Sequence, residues 1–213
     1  MQNTQTAERK IAEFLLKIKA VKLSPGAPFT WASGWKSPIY CDNRQTLSYP
    51  EVRLLIRNEF VRNIREKFAN TEVIAGVATG GIAHGALVAE ALGFPFIYVR
   101  SSSKGHGLQN KVEGHLEKGQ KVMVIEDLVS TGKSSLDAVE ALRAAGAEVI
   151  GMAAIFTYGF EVAKENFAKA DCDLITLSNY TALIEEAMEL NYVDEESLQS
   201  LKEWRSNPQN WNA

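Results

Sequence analysis

Apolar residues recur at helical spacing in two stretches near the start of the chain. Between Glu8 and Val21 they are Ile11, Phe14, Leu15 and Ile18; in the segment opened by Pro50 they are Val52, Leu55, Ile56, Phe60, Ile64 and Phe68. A single apolar stripe on an otherwise polar helix needs a core to cover it, so both segments are predicted as amphipathic helices. The intervening FTWASGWKSPIYCDNR (29–44) mixes aromatic, Gly, Pro and Ser residues without a period. It predicts a short hairpin or loop excursion.

After Asn70 the pattern changes to alternation. Apolar runs VIAGVA (73–78), FPFIYV (94–99), KVMVIE (121–126) and EVIGMAAIF (148–156) are separated by helix-like stretches at 82–92, 134–145 and 160–169, and a fifth run, CDLITLS (172–178), follows. Near-continuous apolar strands joined by helical crossovers predict an α/β fold, with a central, mostly parallel sheet flanked by helices on both faces. The expected organisation is N-terminal helices and the aromatic excursion over 1–70, an α/β core over 71–180, and a helical segment over 181–213 packed on the core. One connection departs from the scheme. RSSSKGHGLQNKVEGHLEK (100–118) is polar, Gly-bearing and too long for an ordinary link, as active-site lids are.

Composition narrows the function classes. In 213 residues, 46% are hydrophobic and 23% charged, with a net charge of -3, which supports a full core and argues against disorder or a broad nucleic-acid-binding surface. Any phosphate recognition therefore needs positive charge gathered locally. Cys41 and Cys172 stand far apart with no CxxC spacing, and the N-terminus has no apolar stretch after a basic one, so a reducing cytoplasm is expected and no membrane association. Two cysteines and the scattered His84, His106 and His115 do not make a protein-ligated metal site.

The chemistry concentrates in VMVIEDLVSTGKSS (122–135). Its GKS tripeptide suggests a nucleotide triphosphate loop, but that motif needs glycine five positions before Gly132, where this chain has Asp127. What remains is an apolar strand ending in Glu126 and Asp127, followed by a polar turn and an apolar-periodic helix. Ligands of parallel sheets bind beyond the carboxyl ends of strands. Ser130, Thr131, Ser134 and the backbone around Gly132 would hold one phosphate at the helix N-terminus, while the paired acids accept hydrogen bonds from a ribose diol and favour a cationic sugar centre. The competing reading is a solvated strand end and an ordinary helix cap.

Two further stretches carry weight. Arg100, Lys104, His106 and Lys111 bring positive charge to the polar connection with no acid before Glu113, which suits an anionic leaving group. VATGGIAHG (77–85) places Thr79, Gly80 and Gly81 between strand and helix, where glycine admits an anion or, equally, allows tight packing.

IEDLVSTGKSS closely resembles the phosphoribosyl pyrophosphate (PRPP) motif of type I phosphoribosyltransferases. FTWASGWKSPIYCDNR is similar to the N-terminal segment of the orotate phosphoribosyltransferases, and YVRSSSKGHG to their mobile catalytic loop. The match runs from about Phe29 to about Tyr180. This resemblance implies the type I phosphoribosyltransferase fold with a small N-terminal hood over the base, and transfer of phosphoribosyl from PRPP to orotate in pyrimidine biosynthesis. It implies that Glu126, Asp127, Ser130, Thr131, Gly132, Lys133, Ser134, Thr79, Gly80 and Gly81 bind PRPP. It also implies that Arg100, Lys104 and His106 act on the pyrophosphate, the lid being shared between the subunits of a homodimer. For orotate it points to Phe29, Lys36, Tyr40, Arg44 and Ser130, and it implies Mg2+ held by pyrophosphate and ribose hydroxyls. A purine or uracil phosphoribosyltransferase, or a PRPP-sensing regulator of the same fold, would share the PRPP motif. The chain departs from the family pattern at Ser101, where many members have Lys. It also lacks a Lys in the 79–81 loop, and has Ala32 and Phe156–Tyr158 where other branches place a ligand-contacting Lys and Arg.

Overall fold

The computed structural model describes residues 6–31, 34–101 and 111–211. The first helix, α1 (Ala7–Lys17), is capped by the Thr6 hydroxyl, which accepts from the Arg9 N–H, and it buries Ile11, Ala12, Leu15 and Leu16. It stops short of the expected Val21. Lys19 takes a left-handed conformation (φ 58°), and Val21 instead opens a strand. That strand, β1 (Val21–Leu23), pairs antiparallel with β4 (Ile39–Cys41), and between them β2 (Phe29–Thr30) pairs with β3 (Lys36–Ser37). The aromatic excursion is thus two small hairpin ladders, followed by a 3-10 helix at Asn43–Ser48 and by α2 (Pro50–Lys67). Proline in the first turn of α2 sits where its missing N–H costs nothing.

The alternating region folds as expected. Strands β5 (Val73–Val77), β6 (Phe96–Val99), β7 (Val112–Glu113), β8 (Lys121–Val129), β9 (Glu148–Thr157) and β10 (Leu174–Asn179) form one six-stranded sheet in the order β10-β9-β8-β5-β6-β7. All neighbours are parallel except the edge strand β7, which runs against β6. That edge lies inside the stretch expected to be a lid, so its second part, from Lys111 onward, belongs to the core. Val112 and Glu113 pair there with Val99 and Tyr98.

Helices α3 (Gly80–Leu92), α4 (Lys133–Ala144), α5 (Glu161–Lys169), α6 (Tyr180–Glu189) and α7 (Glu195–Ser206) complete the two covering layers. Successive side chains of a strand face opposite ways, and β8 shows this directly. Met123 and Ile125 join the core under α1, α2, α6 and α7, whereas Val122 and Val124 join the core under α4 and α5. A strand buried on both faces has to be apolar at every position, which is why the runs read as continuous. In one respect the strand differs from expectation: β8 does not end at the acidic pair. Its partner β9 continues to Thr157, so the ladder runs on through Leu128↔Phe156 and Val129↔Thr157 and holds Glu126 and Asp127 in extended backbone.

Candidate active site

At the carboxyl ends of β5, β6 and β8 lies a cleft of about 360 Å³ that includes Ala78, Arg100, Lys111, Glu126, Asp127 and the Ser130–Ser134 turn in its lining. The turn is shaped by Gly132, whose φ of 81° starts α4 and whose missing side chain leaves room for the Phe167 ring 2.8 Å from a would-be Cβ. Ser130, Thr131, Gly132 and Ser134 face the cleft. Lys133, the middle residue of the GKS tripeptide, is exposed and lies outside the lining. With its first N–H groups free of intrahelical partners and the helix dipole behind them, this end of α4 is an anion cradle.

The two acids differ in environment. Glu126 is buried, and its two oxygens accept from the Asp127 N–H at 2.9 Å and the Ser135 hydroxyl at 3.1 Å. Burial, and then the charge of Asp127, push its carboxyl well above the usual carboxylate range. Asp127 is partly exposed, and its side chain packs over Gly80: a Cβ on that glycine would overlap the Asp127 carboxyl. At Gly81, a Cβ would overlap the Ile125 carbonyl, so this glycine admits the strand behind α3. Thr79 is exposed at the start of α3, preceded by a cis Ala78–Thr79 peptide. The Asp127 carbonyl accepts from Asn43 Nδ2 at 2.6 Å, which ties the hood to the acid strand. Asn43 is fully buried and has no counterpart among the expected site residues.

Opposite the acids stand two cations. Arg100 follows β6; its N–H donates to the Lys111 carbonyl at 2.8 Å and its guanidinium reaches Glu113 at 3.4 Å. Lys111 lines the same cleft, and among the described residues it pairs with no carboxylate. Lys104 and His106, expected to act on a leaving group, lie outside the described residues. His84 is a helix residue of α3, 1% exposed, with Nε2 3.1 Å from the Thr46 hydroxyl. Burial lowers its pKa to about 4, so it is neutral.

A second cleft of about 290 Å³ adjoins the first. Thr30, Trp31, Tyr40, Cys41, Leu128, Ser130 and Tyr158 line it, and Leu128 and Ser130 belong to both clefts. Its walls are aromatic: Trp31 lies 5.0 Å from Tyr158 and 5.6 Å, edge-on, from Trp204 of α7. Of the residues expected to hold the base, Tyr40 and Ser130 line this cleft. Phe29 packs on Tyr40 at 5.7 Å from behind. Lys36 is spent on the Thr30 hydroxyl at 2.8 Å, and Arg44 is paired with Asp42 at 2.6 Å with most of its side chain in solvent. Sequence reasoning missed Thr30, Trp31, Cys41 and Leu128, and met Tyr158 only within the stretch where other branches of the family place a ligand-contacting Arg. The strand-end rule that found Glu126 and Asp127, applied to β9, would have reached Tyr158.

Comparison with known proteins agrees with this geometry. The phosphoribosyl transferase domain family matches residues 50–189. The chain is 57% identical over 207 residues to the orotate phosphoribosyltransferase of Porphyromonas gingivalis, covering 97% of this chain and 99% of that one. Among solved structures, the orotate phosphoribosyltransferase of Aeropyrum pernix superposes with a TM-score of 0.75 at 30% identity, over 86% of this chain and 99% of the other. The UMP synthase of Leishmania donovani superposes with a TM-score of 0.80 at 26% identity over 94% of this chain, which spans 42% of that longer protein. A six-stranded sheet carrying a strand, acid pair and phosphate cradle in this order is the type I phosphoribosyltransferase fold, and the chain belongs to the orotate phosphoribosyltransferases of that family.

Proposed function

We propose that this protein transfers the phosphoribosyl group of PRPP to N1 of orotate, giving orotidine 5'-monophosphate and pyrophosphate. One observation carries the reading: the anion cradle and the aromatic cleft share the wall formed by Leu128 and Ser130. A sugar phosphate on one side of that wall and a flat base on the other have the outline of a nucleotide. The 5'-phosphate sits on the Ser130–Ser134 turn, and Asp127 faces the ribose hydroxyls. As pyrophosphate departs, positive charge grows at the sugar C1, where Asp127 stabilises it and the base nitrogen attacks. Arg100 and Lys111 take the negative charge on the departing oxygens.

Magnesium fits this cleft as part of the substrate. Both Glu126 oxygens are engaged by the protein itself, and the described residues gather no group of three ligating side chains. Pyrophosphate and ribose oxygens would therefore supply most of its ligands, Asp127 could add a carboxylate oxygen, and the ion would supply Lewis-acid stabilisation of the leaving group. In the proposed enzyme Lys104 and His106 complete the charge on the pyrophosphate side from the lid of a second subunit, His106 donating a proton. Cys41 and Cys172 are free thiols, which supports a reducing cytoplasm.

The test is the ultraviolet absorbance of orotate on adding PRPP and Mg2+, with and without the protein. Loss of the orotate band only when the protein is present is expected. Turnover of guanine, adenine or uracil in place of orotate would reassign the substrate, and no turnover with PRPP bound would make the chain a sensor.

A further inference from the structure

The aromatic cleft holds a buried hydroxyl, that of Tyr158. Tyr158 directly follows β9 and lines the cleft, and its ring is fixed on several sides: by Trp31 at 5.0 Å, Phe156 edge-on at 5.7 Å, Phe160 stacked at 5.5 Å and Trp204 edge-on at 5.8 Å. The residue is 3% exposed. Its backbone N–H donates to the Val129 carbonyl at 3.3 Å, but its hydroxyl has no hydrogen-bond partner among the described residues. Buried tyrosine hydroxyls are normally paired, since an unpaired one loses its water without compensation. Among the described residues the only sealed side-chain polar atom without a partner is His84 Nδ1. The Tyr158 hydroxyl is therefore not sealed: what little access it keeps is to the cleft the residue lines.

We propose that the Tyr158 hydroxyl reads the polar edge of the base, donating a hydrogen bond to a ring carbonyl oxygen, and so is a specificity-determining residue of this site. The inference rests on the functional reading above and deepens it. The other cleft groups are poor candidates for the task. Trp31 Nε1 already donates to the Ile39 carbonyl at 3.1 Å and Cys41 Sγ to Asn43 Oδ1 at 3.3 Å, the Thr30 and Tyr40 hydroxyls belong to exposed residues, and Ser130 is shared with the phosphate turn. The tyrosine is also held in its donor form. Burial, and then the nearby Cys41, raise its pKa well above the ordinary phenol value, so the proton stays on across the neutral range. A site built around a buried donor rejects a ligand that cannot accept, because the donor is then stranded.

The experiment compares wild type with Tyr158→Phe, which removes one oxygen and keeps the ring contacts. The expected result is a rise in KM for orotate of roughly 5- to 20-fold, with KM for PRPP and the thermal midpoint nearly unchanged. In the wild type, either 2-thio- or 4-thio-orotate should bind worse than orotate, because sulfur is a weak acceptor, and that disadvantage should vanish in Tyr158→Phe. If wild type turns over orotate but the variant keeps its orotate KM, the proposal falls while the functional reading stands. If wild type gives no turnover, both fall. The wild-type analogue series stands without any variant: equal affinity for orotate and both thio-analogues overturns the proposal even if Tyr158→Phe fails to fold.

Discussion

The carboxylate of Asp127 occupies the space that a side chain on Gly80 would need. The two residues come from different elements, the acid strand β8 and the first turn of α3, so Gly80 sets where the acid can stand. Gly80→Ala is a test of that relation. The overlap is with the end of a partly exposed side chain rather than with backbone, and Ala is a good helix residue, so the fold should lose less than about 1 kcal/mol. Activity should respond differently: displaced by an ångström or more, Asp127 no longer meets the ribose, and kcat/KM should fall on the order of 10- to 100-fold. Steady-state kinetics beside a urea titration separate the two effects; a large stability loss with normal kinetics would contradict this account.

Asn43 links the hood to the same acid from the other side. The side chain is fully buried; its Nδ2 donates to the Asp127 carbonyl at 2.6 Å, and the Asn43 backbone carbonyl accepts from the Thr46 hydroxyl at 2.6 Å. Asn43→Leu leaves the Asp127 carbonyl without that donor, which costs about 1–3 kcal/mol. Chemical denaturation should show a lower midpoint. The orotate KM should rise as well, since the hood carries Trp31 and Tyr40 of the aromatic cleft.

His84 makes stability depend on pH. Its pKa in the folded protein is about 4, against about 6.5 in an unfolded chain. Above the unfolded value the ring is neutral in both states and contributes nothing. As the pH falls through the window between the two values, the unfolded chain takes up a proton that the folded one refuses, and stability is lost. Between about pH 7 and about pH 5 the loss from this ring is about 2 kcal/mol. His84→Gln, which keeps a polar group beside Thr46 but cannot titrate, should remove that part of the slope. Urea unfolding of both proteins at the two pH values measures it.

How far the sequence alone reached follows from which interactions are local. The alternation after Asn70 marks the parallel sheet because each strand must be apolar on both faces, and the Glu126–Asp127 pair with its Ser-rich turn stands on consecutive residues. The aromatic cleft is different. Trp31, Tyr158 and Trp204 are far apart in the chain and meet only because α7 folds back under the hood, where Trp204 Nε1 donates to the Lys36 carbonyl at 3.2 Å. No periodicity encodes that meeting. Arg44 shows the limit from the other side: its charge suits a carboxylate ligand, and in the structure it is paired with Asp42, two residues away. The edge strand β7 was hidden because a two-residue strand, Val112–Glu113, leaves no pattern to read.

Lys111 is set apart by the charge balance of its cleft. Its cleft carries Asp127 and Asp137, with the buried Glu126 held toward its neutral form, against Arg100 and Lys111, and Arg100 is already shared with Glu113. A pyrophosphate group entering that cleft needs a cation that is not committed elsewhere, and among the described residues Lys111 pairs with no carboxylate. The edge strand fixes its position, since the Lys111 carbonyl accepts from the Arg100 N–H. Lys111→Gln should therefore raise KM for PRPP roughly 5- to 30-fold, the loss of one partly solvated charged hydrogen bond, and leave the orotate KM unchanged. Because the lost contact is ionic, the wild-type advantage should shrink as salt rises and screens it. Initial rates at two ionic strengths show this directly. An unchanged PRPP KM at low salt would mean that Arg100 alone carries the described side of the clamp.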